Sequence, residues 1–107
     1  MKIHNPATGT VIADVDADGS AAVRKKLLRA RAAQPAWAAT PVKKRIATIA
    51  AFRERVVALH ETLARTLTEE VGKPIRQSRN ELNGLIGRLD FFLAESPRTL
   101  RQQWPGD

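Results

Sequence analysis

Ile49-Ala50-Ala51-Phe52-Arg53-Glu54-Arg55-Val56-Val57-Ala58-Leu59-His60-Glu61-Thr62-Leu63-Ala64-Arg65-Thr66-Leu67 is the stretch that decides the fold class of this chain. Ile49, Phe52, Val56, Leu59 and Leu63 recur at alternating spacings of three and four, and Leu67 continues the row. That period winds them onto one face of an α-helix. Upstream, Thr40-Pro41 is a start signal, a hydroxyl cap followed by proline at the first helical position. Downstream, Gly72 offers a left-handed C-cap and Pro74 prevents continuation. Periodicity leaves open whether this is one helix or two with a break near His60.

Moving outward, a last helix is expected from about Pro74 to Glu95, stopped by Pro97. Its apolar row is Leu82, Leu85, Leu89 and Phe92, widened by Ile86 and Leu93. Toward the N-terminus, a first helix with Val23, Leu27 and Ala30 on one face is expected to follow the caps Asp18 and Ser20 and to end at Gln34. Pro35 would close it, and Pro35-Ala36-Trp37-Ala38-Ala39 reads as a short turn that plants Trp37 in the core. Residues 2–15 read as a β-hairpin. Asn5-Pro6-Ala7-Thr8-Gly9 supplies the turn chemistry, and Val11, Ala13 and Val15 alternate with their neighbours. A lone hairpin is marginally stable in water, so it needs a surface to lie on. The fold expected is mainly α, three to four helices preceded by a short N-terminal β-hairpin. It is read as a single partial domain over 1–107, with the hairpin at 1–15, the helical segment at 20–96 and a tail at 97–107. The weak pattern ending in Trp104-Pro105-Gly106-Asp107 reads as a cut rather than a natural end.

Composition agrees. A chain of 107 residues is one domain at most. Apolar residues make up 43% and aromatics 5%, so the core must be built from Ala, Val, Leu and Ile, the composition of a helical protein. With no cysteine, disulfides, thiolate-bound metals and thiol chemistry are all excluded. Met1-Lys2-Ile3-His4 runs straight into a polar turn without an apolar signal core, and no eighteen-residue apolar run exists to span a membrane. The expected location is cytoplasmic, with no membrane partner. The net charge of +7 permits electrostatic contact with nucleic acid or another acidic surface.

The candidate motifs each lack a required partner. His60-Glu61 opens like a zinc-protease helix, but Ala64 stands where the second ligand is required. Both His60 and His4 read as surface or hydrogen-bonded residues. Gly72-Lys73 lacks the Ser or Thr of a phosphate loop, because Pro74 follows. Gly84-Leu85-Ile86-Gly87 has the letters of a KH-domain loop but sits inside a helical row, where its glycines read as allowing close helix packing. Ser20, Ser78 and Ser96 have no histidine that the sequence can place beside them. Glu69-Glu70 reads as a solvated pair. The cations Arg24-Lys25-Lys26, Arg29, Arg31, Lys43-Lys44-Arg45, Arg53 and Arg55 fall mostly off the apolar rows. They are not interleaved with aromatics, so stacking on bases is not indicated.

Several of these elements, taken in order, resemble the N-terminal segment of the NAD(P)-dependent aldehyde dehydrogenase superfamily. Its Asn-Pro-(Ala/Ser)-Thr-Gly turn matches Asn5 to Gly9, and Val11-Ile12-Ala13 follows as its strand. Ala36-Trp37, Thr40-Pro41 with Arg45, and Glu70 before Gly72-Lys73-Pro74 continue the series. Glu81-Leu82 and Phe91-Phe92 complete it, over residues 5 to about 95. One departure is the start: many members carry a further strand before the Asn-Pro turn, and four residues precede it here.

The resemblance implies a fragment of the helical layer of an α/β domain, a layer that packs against the dinucleotide-binding domain with the hairpin along its edge. It also implies a scaffolding role. In the family a cysteine thiolate attacks the aldehyde, hydride passes to NAD or NADP, and a glutamate-activated water releases the acid. All those parts lie downstream of the matching segment. Catalytic, cofactor-binding and metal residues are therefore expected to number none in this chain, which would be inactive alone and bind no cofactor by itself. Its expected partners are the remainder of such an enzyme or a second copy. The competing reading is a small basic helical binding module that contacts nucleic acid or a protein. An active enzyme of 107 residues is set aside for lack of the thiol and the cofactor loop.

Overall fold

The structure, a computed structural model, describes residues 1–100. Strands β1 (Lys2–His4) and β2 (Val11–Asp14) are followed by helices α1 (Ser20–Ala39), α2 (Val42–Ala58), α3 (His60–Val71) and α4 (Ile75–Thr99). The mainly helical architecture with an N-terminal hairpin is the one expected from the sequence.

β1 and β2 pair antiparallel, Lys2 opposite Asp14 and Ile3 opposite Ala13, with an irregularity before His4 meets Val11. The turn is held from inside. Asn5 O accepts the Gly9 N–H at 2.7 Å, the Asn5 side chain accepts from Ala7 N at 2.9 Å, and Gly9 takes φ 73°. That φ favours glycine. Ile3 and Ile12 are the half-covered residues, whereas Val11 and Val15 are exposed.

The row Ile49–Leu67 is broken at Leu59, whose φ −102° and ψ 10° separate α2 from α3. The break changes direction without losing the hydrogen-bond ladder: Leu59 N still reaches Arg55 O, and Leu63 N reaches Leu59 O. Gly72 caps α3 in the left-handed region at φ 74°, as the sequence indicates. α2 and α3 together run antiparallel to α4. His60 meets Asn83 near the bend, Arg53 meets Asp90 on one side of it, and Thr68 meets Ser78 on the other.

Four boundaries differ from the reading above. α1 continues through Pro35 to Ala39. A proline in the last turn deletes one bond, to the carbonyl of Arg31, and on an exposed helix water replaces it. Pro97 likewise lies inside the last turn of α4, which runs on to Thr99. The expected tail therefore begins in helix, and its remainder lies outside the described residues. Thr40 does not cap α2. Its hydroxyl donates to Ala36 O at 3.0 Å and closes α1, while Pro41 occupies the N-cap position of α2. Likewise Gly19, not Asp18 or Ser20, is the N-cap residue of α1, and no side chain caps it.

The core is thin. Val56, Ala64, Leu82 and Ser78 are its buried residues. The radius of gyration is 18.9 Å, where a compact domain of this length has about 13 Å. One antiparallel helical layer cannot enclose a core by itself, because each helix has a neighbour on one side only.

Candidate functional site: an open apolar face

At the α3–α4 end the contact is closed. Ser78 is fully buried, and its hydroxyl lies 2.7 Å from that of Thr68. Ala64 is also fully buried, its small side chain allowing the two helices to approach. Arg79 grips Glu61 with two hydrogen bonds of 2.9 and 2.8 Å, and Arg65 adds a contact at 2.9 Å. The Arg79 guanidinium holds the Glu61 carboxyl below the ordinary carboxylate range. Lys73, largely covered, pairs with Glu81 at 2.5 Å. Gly72 also receives the hairpin: a Cβ placed there would lie 2.6 Å from Pro6 Cγ, so the Asn-Pro turn rests directly on the Gly-Lys-Pro corner. That contact is the surface a two-stranded hairpin needs.

At the other end α2 and α4 meet through Arg53, whose Nε and Nη2 donate to Asp90 at 2.8 and 3.2 Å. The Asp90 carboxyl is lowered by the same guanidinium. Beyond this pair the layer opens into a groove of about 340 Å³ lined by Trp37, Val42, Ile46, Ile49, Phe92 and Leu93, with Arg45 at its edge. Arg45 Nε is committed to Thr40 O at 3.1 Å. Trp37 is 43% exposed and Ile49 40%. Trp37 is therefore not planted in a core. It forms one wall of the groove, because α1 ends beside α2 and no element among the described residues lies over them. Phe52, Leu59, Phe91 and Phe92 are exposed as well, the last two in an edge-to-face pair with ring centres 5.4 Å apart.

α1 buries no residue. Val23, Leu27 and Leu28 are each about half exposed. Lys26 reaches back to Asp18.

The candidate motifs are dispersed. His60 Nε2 lies 3.0 Å from Asn83 Oδ1, and His4 Nδ1 lies 3.3 Å from Gly9 O, so each histidine is a hydrogen-bonded surface residue as expected. Glu69 and Glu70 are exposed. Ser78 is engaged by Thr68 and Ser96 lines the groove, so no serine is brought to a histidine. Among the described residues no cluster of three or more His, Asp or Glu could hold a metal ion, and no helix is long and apolar enough to cross a membrane. Gly84 and Gly87 face open space rather than a tight helix contact, since nothing lies within 4 Å of a Cβ built on either. Helix packing does not explain them.

β2 into α1 is the one strand-to-helix passage among the described residues, and its loop Val15-Asp16-Ala17-Asp18-Gly19 carries two carboxylates and one glycine. Lys26 pairs with Asp18, and the loop lacks the run of glycines with which a Rossmann-type turn cradles a pyrophosphate.

Comparison with known proteins locates this arrangement. The family model described as the aldehyde dehydrogenase family matches residues 1–106. The chain is 34% identical over 106 residues to a glutarate-semialdehyde dehydrogenase of Pseudomonas putida, an alignment covering 99% of the chain and 22% of that protein. It is 33% identical over 101 residues to an N-succinylglutamate 5-semialdehyde dehydrogenase of Novosphingobium aromaticivorans, covering 94% and 21% respectively. To an NADP(+) succinate-semialdehyde dehydrogenase of Escherichia coli it is 28% identical over 106 residues, covering 99% and 22%. The chain thus spans about a fifth of the length of the curated relatives it matches, at their N-terminal end. The hairpin resting on the Gly-Lys-Pro corner, the antiparallel helical layer and the end-to-end match agree: this chain belongs to the aldehyde dehydrogenase family.

Proposed function

We propose that this chain is the scaffolding segment of an NAD(P)-dependent aldehyde dehydrogenase, with no catalytic or cofactor-contacting residue of its own. The observation that carries the reading is the open α2–α4 face on a chain matched almost end to end by the family model. A helical layer with apolar residues on an uncovered side is a cover in need of a sheet. The whole enzyme would oxidise an aldehyde to a carboxylic acid at the expense of NAD or NADP. The nucleophilic thiol must come from elsewhere in such an enzyme, since none of these 107 residues is a cysteine. The family implies the nicotinamide cofactor for whole enzymes, and the acidic β2–α1 loop supports placing its site outside this segment. Three of the relatives named above are semialdehyde dehydrogenases, so a semialdehyde is the substrate class to assay first.

The test is a graft. Substituting this chain for the matching segment of the Pseudomonas putida enzyme should give a folded protein that still oxidises glutarate semialdehyde. The chain by itself should give no nicotinamide reduction with that aldehyde and either cofactor. Turnover by the purified chain alone would overturn the proposal, as would a graft that folds but no longer holds its helical segment against the remainder.

A further inference from the structure

Val23, Leu27, Ala30, Gln34 and Trp37 follow one another along α1 at spacings of four, three, four and three. That is the a/d seam of a heptad repeat, continued for two heptads. Val23 and Leu27 are about half exposed, and no residue of α1 is buried. The e and g positions beside the seam are Arg24, Lys26, Arg31, Ala33 and Ala38, so every charge that flanks it is positive. We propose that α1 is one half of a helix pair, and that the remainder of the enzyme supplies the other half, a helix whose apolar row is flanked by Asp or Glu. The inference rests on the reading above that this chain is a segment of a larger aldehyde dehydrogenase.

Three observations choose that occupant. The first is charge. Arg53 and Arg79, at the contacts of α4 with α2 and α3, each meet a carboxylate. On α1, which has no carboxylate of its own, Lys26 meets Asp18, while Arg24 and Arg31 meet none among the described residues. Flanking charges set the partner of such a seam, so acidic flanks fit and a second α1, carrying the same cations, is repelled. The second is the seam itself. Ala30 leaves room for a large apolar residue opposite, and a polar residue such as Gln34 at one a position fixes register. A nucleic acid would engage the cations and leave Val23 and Leu27 uncovered. The third concerns the source. The seam runs at Trp37 into the groove of the face that the remainder is read to cover. Two heptads are also short for a pair held by its own contacts alone, which suits a helix kept nearby, at high effective concentration, by the same polypeptide.

The chemistry is tested on the chain itself by NMR titration with a synthetic helical peptide of about three heptads, leucine at a and d and glutamate at e and g. The amides of Val23, Leu27, Ala30 and Trp37 should shift. The same peptide with lysine at e and g should bind at least about tenfold more weakly. The variant R24E/R31E should reverse that preference, with helical circular dichroism retained. K25E/R29E, which makes the same change in net charge away from the seam, should leave it in place. The source is tested in the Pseudomonas putida graft, where p-benzoylphenylalanine at position 27 should photo-cross-link to an acid-flanked helix outside the grafted segment and the same probe at position 29 should not. The proposal is overturned if the two peptides bind alike, if K25E/R29E reverses the preference, or if duplex DNA displaces the glutamate peptide at equal concentration. It also fails if the probe at position 27 reacts only within the grafted segment. An active graft without that cross-link refutes this pairing alone; a graft that folds but does not hold its helical segment refutes the scaffolding role.

Discussion

α3 with α4 and α1 by itself are made of similar material and end differently. Both are helices with leucines and arginines, yet α4 buries Ser78 and Leu82 while α1 buries nothing. The difference lies in arrangement. In α4 the large apolar residues form one row, and its flanking charges find opposite charges on the facing helices, Arg79 with Glu61 and Asp90 with Arg53, and at the Gly-Lys-Pro corner, Glu81 with Lys73. In α1 the apolar residues are mostly alanine, and the cation-free face of Val23, Leu27 and Ala30 buries no residue against another described element. Helix propensity suffices to wind α1; it does not supply a partner.

The sharpest way to break the closed region is Leu82→Ala. Removing a buried leucine should lower the unfolding free energy by about 2–4 kcal/mol, read from urea denaturation followed by circular dichroism. A loss below half a kcal/mol would mean that the α3–α4 contact is no better packed than α1.

Gly72→Ala should cost about 1–3 kcal/mol, from the left-handed backbone and from the clash with Pro6. The two causes separate in a double-mutant cycle with Pro6→Ala, which relieves the contact and leaves φ as it is. Recovery of part of the loss in the double variant locates the hairpin on the Gly-Lys-Pro corner. Strict additivity would remove it from there. Ser78→Ala should cost about 1 kcal/mol by leaving the Thr68 hydroxyl without its partner.

Acidification should act in the same direction but weakly. Glu61 and Asp90 are held below their ordinary values by Arg79 and Arg53, so the folded chain binds fewer protons than the unfolded one at mildly acidic pH. Their contribution is present above about pH 4, where unfolded carboxylates are ionised, and is lost as pH falls through the lowered values. Both pairs are solvent-exposed, which keeps the effect small and sensitive to salt. Denaturation midpoints should fall on acidification, and the fall should flatten in Arg79→Met. An unchanged slope in that variant would show that the pair contributes nothing measurable.

At the other extreme, Leu28→Ser on α1 should leave the unfolding free energy unchanged within about 0.5 kcal/mol. A larger loss would show that α1 is packed after all, and the contrast between the two regions would collapse.

Much of this molecule was legible in residue order. The 3–4 spacing from Ile49 to Leu67, the glycine at 72 with proline at 74, and the Asn5–Gly9 turn each act through neighbours a few residues away, so the chain determines helix, cap and hairpin locally. The same ordered turns carried the resemblance to aldehyde dehydrogenases, and the missing cysteine spoke without any structure. Other features depended on residues far apart in the chain. The bend at Leu59, the buried Thr68–Ser78 pair and the resting of Pro6 on Gly72 are contacts between elements, invisible to periodicity, although Ser78 four residues before Leu82 does share its face. The two prolines misled for a related reason: a single missing hydrogen bond ends a helix only where water cannot replace it, and exposure is a tertiary property. Trp37 shows the limit most clearly. Sequence marks a large aromatic as something to bury, but burial needs a surface on every side, and only the three-dimensional layer reveals that the described residues cover the groove on one side alone.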